Sequence, residues 1–218
     1  MLKVLLPAAG FGTRVNADYV NGKELLTDPN TGLPLIQWSI EMARIAKADP
    51  LVISRRTKVG LNAEMERQGI PCLKVEESAL KEWPDTIILS EQHWERKNLM
   101  LLPDTRFPDA QDYIRLVERF LKHSDVVFLT IPLAEQDASK FAIYDYMTDW
   151  ICEKPSEGVE SRAQIICAIG FNNAVGRKLF EGLSKRGEWF SIPKATISHI
   201  QIPWFKDITR SGNVEQYS

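Results

Sequence analysis

The sequence predicts an α/β protein in which helices cover both faces of a mostly parallel sheet. Two observations support this fold class. Short apolar runs alternate with longer amphipathic segments along the first two thirds of the chain, and the apolar runs are continuous, as in strands buried on both faces. With 218 residues, 44% hydrophobic and 26% charged, the chain can bury a core as one domain, which we expect to span 1–218.

The strands and helices of the first two thirds are delimited by proline and glycine. Pro7 ends the first apolar run, Pro34 opens a helix and Gly69 closes another, as these residues commonly do. Strands are predicted over 3–6, 51–54, 70–75, 98–102 and 126–131, and helices over 34–48, 58–68 and 110–122.

The pattern changes after Pro132. Segments 141–146 and 149–153 predict a hairpin around Met147 and Thr148, followed by a strand over 164–171 and a helix over Asn173–Leu183. Three successive apolar segments without long helices between them are typical of antiparallel pairing. We therefore expect a mixed or antiparallel addition to the parallel sheet.

Composition excludes several function classes. Lys and Arg number 27 against 29 Asp and Glu, so no global charge favours nucleic acid or a membrane surface. No apolar run approaches the roughly 18 residues of a membrane helix. Three scattered cysteines form no disulfide framework, which favours a cytoplasmic protein. The three histidines have no metal-ligand spacing, and no Gly-x-Ser-x-Gly indicates a serine hydrolase.

The most informative segment follows the first strand. Small residues at Ala8, Ala9, Gly10 and Gly12 allow close approach of backbone N–H groups to a ligand, and Arg14 adds a cation suited to phosphate. The spacing matches neither Gly-x-Gly-x-x-Gly nor Gly-x-x-x-x-Gly-Lys-Ser/Thr. On these residues alone, a structural turn and a phosphate site are equally good interpretations.

The segment 8–14, followed by Lys23, Glu24, Leu25 and Leu26, resembles the signature of the sugar-1-phosphate nucleotidylyltransferase family. This family includes the glucose-1-phosphate thymidylyl- and uridylyltransferases. The resemblance implies a Rossmann-like three-layer α/β/α fold with a mostly parallel mixed sheet, the nucleotide-diphospho-sugar transferase fold. It also implies an enzyme that uses Mg²⁺ to join a nucleoside triphosphate to a sugar 1-phosphate, with release of pyrophosphate.

The resemblance implies a role for each matching residue. Later segments agree in order: 99–104 ends in Asp104, 151–155 contains Glu153 and Lys154, and 204–209 contains Asp207. The similarity thus runs from about residue 2 to residue 212. It implies nucleotide binding by Ala8, Ala9, Gly10, Gly12, Thr13 and Arg14; catalysis by Arg14, Lys23 and Asp104; sugar-phosphate binding by Glu153 and Lys154; and Mg²⁺ binding by Asp104 and Asp207. Arg106 is expected to be an ion-pair partner.

Other functions stay open beside this one. The residues Gly22, Pro103 and Thr209 depart from the family pattern, and segment 81–86 replaces its usual base-recognising turn. The alternatives are a cytidylyltransferase for another small phosphate such as phosphocholine, and a catalytically silent nucleotide-sugar-binding or regulatory protein. The expected partners are a nucleoside triphosphate and a sugar 1-phosphate, without nucleic acid or membrane, for a monomer or small homo-oligomer. The sugar and the base are not defined by the sequence.

Overall fold

The computed structural model describes residues 1–10, 21–28, 31–80, 82–134, 136–156, 159–160 and 162–207. The strands are β1 Leu2–Pro7, β2 Asp49–Arg55, β3 Cys72–Val75, β4 Lys97–Leu101, β5 Thr105–Arg106, β6 Val126–Pro132, β7 Ala142–Asp145, β8 Trp150–Glu153, β9 Gln164–Asn172, β10 Ile197–Gln201 and β11 Lys206–Asp207. The helices are α1 Leu35–Ile45, α2 Val59–Arg67, α3 Trp83–Ile88, α4 Ala110–Phe120 and α5 Asn173–Leu183.

One nine-stranded sheet organises these elements. Its main path has the order β10-β6-β9-β4-β1-β2-β3, and the β7–β8 hairpin joins it through β9. Strands β3, β2, β1 and β4 pair in parallel, β10 pairs in parallel with β6, and β9 runs antiparallel to both β4 and β6. The expected mostly parallel sheet with an antiparallel addition is therefore confirmed.

Helices cover both faces of the sheet. Ile40 of α1, Met65 of α2 and Ile114 of α4 belong to one buried apolar cluster. Ile87 of α3 and Phe180 of α5 belong to a second. Alternate residues of each strand enter the two clusters because successive side chains point to opposite faces. This is the three-layer α/β/α arrangement that the sequence predicts.

The carboxyl ends of the parallel strands lie at one edge of the sheet, which we call the carboxyl edge. It carries Pro7, Arg55, Val75 and Leu101, the last residues of β1, β2, β3 and β4. Strands β2 and β3 extend the sheet on one side of β1, whereas β4 returns to the other side. The chain thus has a topological switch point between β1 and β4, and ligands of open α/β sheets bind beyond the carboxyl ends of strands at such a point.

One helix and three strands of the fold are absent from the sequence-based assignment. These are α3, β10, and the strands β5 and β11, which pair in a small ladder. The hairpin around Met147 and Thr148 is confirmed, and β3 begins after Pro71, whose carbonyl accepts a hydrogen bond from the Val52 amide. In the part of the chain that the structure describes, no helix combines the length and apolarity needed to cross a bilayer.

Candidate active site

The chain leaves β1 at the switch point through Ala8, Ala9 and Gly10. Ala8 and Ala9 are buried and Gly10 is exposed. The Ala8 amide donates to the Ile53 carbonyl at 2.8 Å. This hydrogen bond continues the β1–β2 pairing one residue beyond the strand and fixes the start of the loop. Gly12, Thr13 and Arg14 lie outside the described residues, so their predicted roles stay predictions.

Lys23 and Asp104 meet at this edge although 81 positions separate them. Lys23 lies on a short 3-10 turn, Lys23–Leu25, and its ammonium donates to the carboxylate of Asp104, which is buried. Asp104 is presented by a tight turn in which the Thr105 amide donates to the Leu102 carbonyl at 3.3 Å. Pro103 occupies the second position of this turn, where its fixed φ is favourable. The departure at Pro103 therefore has a structural reason.

The turn that carries Asp104 is anchored by Arg106. Its buried guanidinium forms an ion pair with Asp28 at 3.2 Å, donates to the Leu35 carbonyl at 2.7 Å and lies 4.6 Å from the ring centre of Trp38. Burial lowers the pKa of Arg106, while Asp28 opposes that shift. The expected ion-pair role of Arg106 is confirmed. The guanidinium joins the Asp104 turn to the start of α1.

Asp207 comes to the same region through the backbone. Strand β11 pairs antiparallel with β5, and Asp207 lies opposite Thr105, the chain neighbour of Asp104. Directly opposite residues of an antiparallel pair have Cα atoms about 5 Å apart. The backbones of the two predicted metal ligands are therefore close, on the same side of the molecule. Ile208 and Thr209 lie outside the described residues.

Glu153 and Lys154 lie at the end of β8, which the β7–β8 hairpin places beyond the end of β4. Glu153 is buried, and its carboxylate is close to the ammonium of Lys154 at 3.3 Å and accepts a hydrogen bond from the Trp83 side chain. Burial raises the pKa of Glu153, while Lys154 and Trp83 oppose the increase. Lys154 has φ 51°, a left-handed conformation that non-glycine residues rarely adopt outside constrained sites.

Trp83 opens α3 in the segment where the family pattern has its base-recognising turn. A capping box formed by Glu82 and Asp85 starts the helix. The ring of Trp83 makes an edge contact with Phe180 of α5, with ring centres 6.2 Å apart. Trp83 thus connects the end of β8 with the core of the second helix layer. Lys81 lies outside the described residues.

Sequence reasoning missed the buried cations that follow β2. Arg55 and Lys58 are fully buried; Arg55 donates to the Gly10 carbonyl at 3.4 Å and Lys58 donates to the Ala8 carbonyl at 2.7 Å. In the sequence they look like solvent-exposed charges of a turn. Their place directly after a buried strand, at the carboxyl edge beside the loop, is the signal that could have found them.

The carboxylates of this region suit Mg²⁺ better than a softer metal. Among the described residues, no three His, Cys, Asp or Glu side chains converge as a metal cluster. Mg²⁺ is commonly held by one or two carboxylates together with substrate phosphates and water. Asp104 supplies a carboxylate, and the β5–β11 pairing brings the backbone of Asp207 beside it. The carboxylate of Asp104, joined by substrate phosphates and water, therefore fits Mg²⁺.

No protein-family model matches the sequence, and no curated protein matches it. Solved structures do match. A Bacillus anthracis structure, named as a glucose-1-phosphate thymidylyltransferase in complex with a sucrose, has a TM-score of 0.76 and 18% identity and covers 99% of this chain and 93% of its own. A UDP-glucose pyrophosphorylase from Acinetobacter baumannii has a TM-score of 0.71 and 14% identity, and the match covers 95% of this chain and 88% of that one. A UDP-glucose pyrophosphorylase complexed with UDP-glucose has a TM-score of 0.63 and 21% identity, and the match covers 82% of this chain and 79% of that one.

These matches agree with the motifs found in the sequence. The similar structures carry the names of sugar-1-phosphate nucleotidylyltransferases, the family that the loop 8–14 and the Lys23 segment resemble. At such low identity a structural likeness establishes the fold and not the reaction. The chain therefore has the nucleotide-diphospho-sugar transferase fold, the fold of the family that its motifs resemble.

Proposed function

We propose that the protein transfers a nucleotidyl group from a nucleoside triphosphate to a sugar 1-phosphate, with release of pyrophosphate. The observation that carries the proposal is the meeting of Lys23 and Asp104 at the switch point, beside the strand that contains Asp207. Ligands of open α/β sheets bind at this point. A cation beside a carboxylate there offers the opposite charges that a metal-bound triphosphate requires.

The proposed reaction is an in-line displacement at phosphorus. A sugar 1-phosphate oxygen attacks the α-phosphorus, a new P–O bond forms, the bond to the bridging oxygen breaks, and pyrophosphate leaves. The attacking phosphate is already ionised, so no side-chain base is needed. Positioning and charge stabilisation supply most of the catalysis in phosphoryl transfer.

Each site residue has a proposed part in this step. Lys23 and Arg14 reduce repulsion between the two anionic substrates, and the loop 8–13 offers backbone N–H groups to the triphosphate. Asp104 and Asp207 would hold Mg²⁺, which offsets phosphate charge when it is bound. Glu153 and Lys154 receive the sugar phosphate, and the ammonium of Lys154 is the group suited to its anionic oxygens.

A pyrophosphate-release assay tests the proposal. Purified protein with Mg²⁺ is supplied with UTP, dTTP, CTP, ATP or GTP and, in turn, with several hexose 1-phosphates or phosphocholine. One similar structure is complexed with UDP-glucose, which supports starting with UTP and glucose 1-phosphate. We expect pyrophosphate only when a triphosphate and a sugar 1-phosphate are both present. Pyrophosphate release with phosphocholine and with none of the hexose 1-phosphates would show that the acceptor is not a sugar 1-phosphate. Binding of triphosphate without turnover of any pair would contradict transfer and favour a silent binding protein.

A further inference from the structure

A buried ion pair joins the two ends of the nucleotide loop, which we define as residues 8–24. The ammonium of Lys58 donates to the Ala8 carbonyl at 2.7 Å and to Oε2 of Glu24 at 2.6 Å. The side chains of Lys58 and Glu24 are 0% and 1% exposed. A single charged group from the start of α2 therefore holds the first and the last residue of the loop.

A buried ion pair is rarely needed for the stability of a fold. Burial lowers the pKa of Lys58, the neighbouring cations Arg55 and Lys23 lower it further, and Glu24 opposes the shift. Desolvation costs of buried ion pairs commonly match or exceed their attraction, so apolar residues of similar volume are often as stable. Stability alone therefore does not account for Lys58 and Glu24, whereas their position at the two loop ends gives them a geometric role.

Two glycines allow close packing at the end of the loop: Gly22 packs on the ion pair, and Gly60 packs against Asn21. A Cβ atom on Gly22 would lie 2.7 Å from Oε2 of Glu24 and 2.9 Å from Nζ of Lys58. A Cβ atom on Gly60, in the first turn of α2, would lie 2.0 Å from Oδ1 of Asn21. Gly22 also has φ 77° and ψ 157°, a region almost restricted to glycine. The departure from the family pattern at Gly22 is thus explained by the ion pair beneath it.

The same contacts fix the backbone of Lys23. The residue before it, Gly22, packs on the pair, and the residue after it, Glu24, is a member of the pair. Lys23 begins the 3-10 turn, and its ammonium reaches Asp104. A movement of Glu24 would therefore shift Lys23 relative to Asp104.

We propose that Lys58 and Glu24 are positioning residues for nucleotidyl transfer, an inference that rests on the proposed function. Neither touches the reacting atoms. The pair holds the nucleotide loop at both ends and keeps Lys23 beside Asp104 before a triphosphate binds. Catalytic groups that are placed in advance speed the chemical step.

The test separates positioning from folding with an apolar double variant. Lys58→Met alone leaves the buried Glu24 carboxylate without its cation and is expected to lower the melting temperature. Lys58→Met combined with Glu24→Leu removes both charges and is expected to restore the melting temperature. We expect the double variant to keep a kcat at least about tenfold below wild type and a raised KM for the triphosphate, with an unchanged KM for the sugar phosphate. Full recovery of kcat together with stability would overturn the proposal.

A matched control removes a lysine from the opposite end of the same sheet. Lys3 pairs with Asp49 at 2.5 Å near the amino end of β1. Lys3→Met is expected to leave kcat and both KM values unchanged. A tenfold fall of kcat in this variant as well would show that loss of any lysine ion pair slows the enzyme, and it would contradict a specific role for Lys58.

A double-mutant cycle tests the link through Lys23. Because the pair is proposed to affect kcat through Lys23, adding Lys58→Met to Lys23→Ala should lower kcat little further. Losses of kcat that multiply in the combined variant would contradict the link.

If the wild-type protein transfers no nucleotide, the proposed function fails. A crystal structure of the variant with Lys58→Met and Glu24→Leu still decides whether the pair positions Lys23. Lys23 Nζ beyond hydrogen-bond distance of Asp104 supports the claim, and an unchanged contact overturns it.

Discussion

At the scale of the residue, the carboxyl edge concentrates charges that the fold has removed from solvent. Glu24, Lys58, Asp104, Arg106 and Glu153 are all buried there. Buried ionisable groups are costly unless they are paired, and they cluster at functional sites more often than elsewhere. Residue type alone does not distinguish these buried charged residues from charged residues on the surface. The resemblance to a known family singled out Asp104 and Glu153, whereas Lys58, which only its place directly after a buried strand could indicate, was missed, and the packing of Arg106 has no local signal.

Lys154 combines an unfavourable backbone conformation with a predicted contact to the sugar phosphate. Both Lys154→Ala and Lys154→Gly remove the ammonium, so each should raise KM for the sugar 1-phosphate roughly tenfold or more while changing KM for the triphosphate less. Glycine also relieves the positive φ of 51°. Lys154→Gly should therefore be about 1 kcal/mol more stable than Lys154→Ala in urea unfolding.

The two measurements on Lys154 test different parts of the account. Equal changes in both KM values would indicate a structural role for the side chain. An alanine variant as stable as the glycine variant would show that the left-handed conformation at the end of β8 stores no strain.

Glu153 predicts a pH dependence of stability. Burial raises the pKa of this carboxyl group, so the folded chain holds the proton more tightly than the unfolded chain. The penalty for ionising Glu153 is then absent at low pH and grows as pH rises through the ordinary carboxyl range towards the raised value. Glu153→Gln cannot ionise, so its unfolding free energy relative to wild type should increase as pH rises from about pH 4, through the ordinary carboxyl range and towards the raised pKa. A relative free energy that stays constant or falls over this range would contradict the buried, proton-retaining carboxyl group.

At the scale of the element, the small ladder between β5 and β11 determines whether two carboxylates can act together. Each strand has only two residues, and neither has an apolar pattern that sequence reasoning can use. The ladder pairs Thr105 with Asp207 and is anchored through Arg106, whose contacts run to Asp28 and the Leu35 carbonyl. We infer that this anchor keeps Asp104 and the Asp207 segment in register.

Removal of the Arg106 side chain tests the anchor. Arg106→Met removes the buried guanidinium together with its contacts to Asp28 and to the Leu35 carbonyl, and should lower the unfolding free energy by about 3–5 kcal/mol. Adding Asp28→Asn removes the carboxylate charge that faced Arg106 and should restore part of that loss. Urea unfolding of the single and double variants gives both values. A loss below about 1 kcal/mol in the single variant, the range of exposed pairs, would show that the ion pair does not anchor the turn.

Most of the elements that the sequence predicts have a continuous apolar run or a clear helical face. Continuous apolar runs predict the strands that are buried almost throughout, which are β1, β2, β4, β6 and β9. Strand β10 was not predicted, because it is an edge strand whose residues are exposed or half-buried and it has no continuous apolar run. Helix α3 has six residues, too few to establish a helical period.

At the scale of the whole molecule, the order of the strands brings distant segments to one place. The segments after β1 and β4 meet because these strands are neighbours at the switch point, although about a hundred residues separate them. The β7–β8 hairpin and β11 reach the same edge from the last third of the chain. In the sequence, the first motif is specific and the other three gain force only from their order, but the topology is what brings them together. We propose that 1–218 acts as one nucleotidyltransferase unit for this reason.

The central claim is that Asp104 acts in nucleotidyl transfer at this switch point, and Asp104→Asn tests it most directly. The measurement is the kcat of nucleotide-sugar formation at saturating Mg²⁺, with Asp49→Asn, at the opposite edge of the sheet, as the matched control. Because asparagine removes a charged group from the reaction centre, kcat should fall by about 10²-fold or more, with the melting temperature close to wild type. The control should keep wild-type kcat. A folded Asp104→Asn variant with near wild-type kcat would contradict the account.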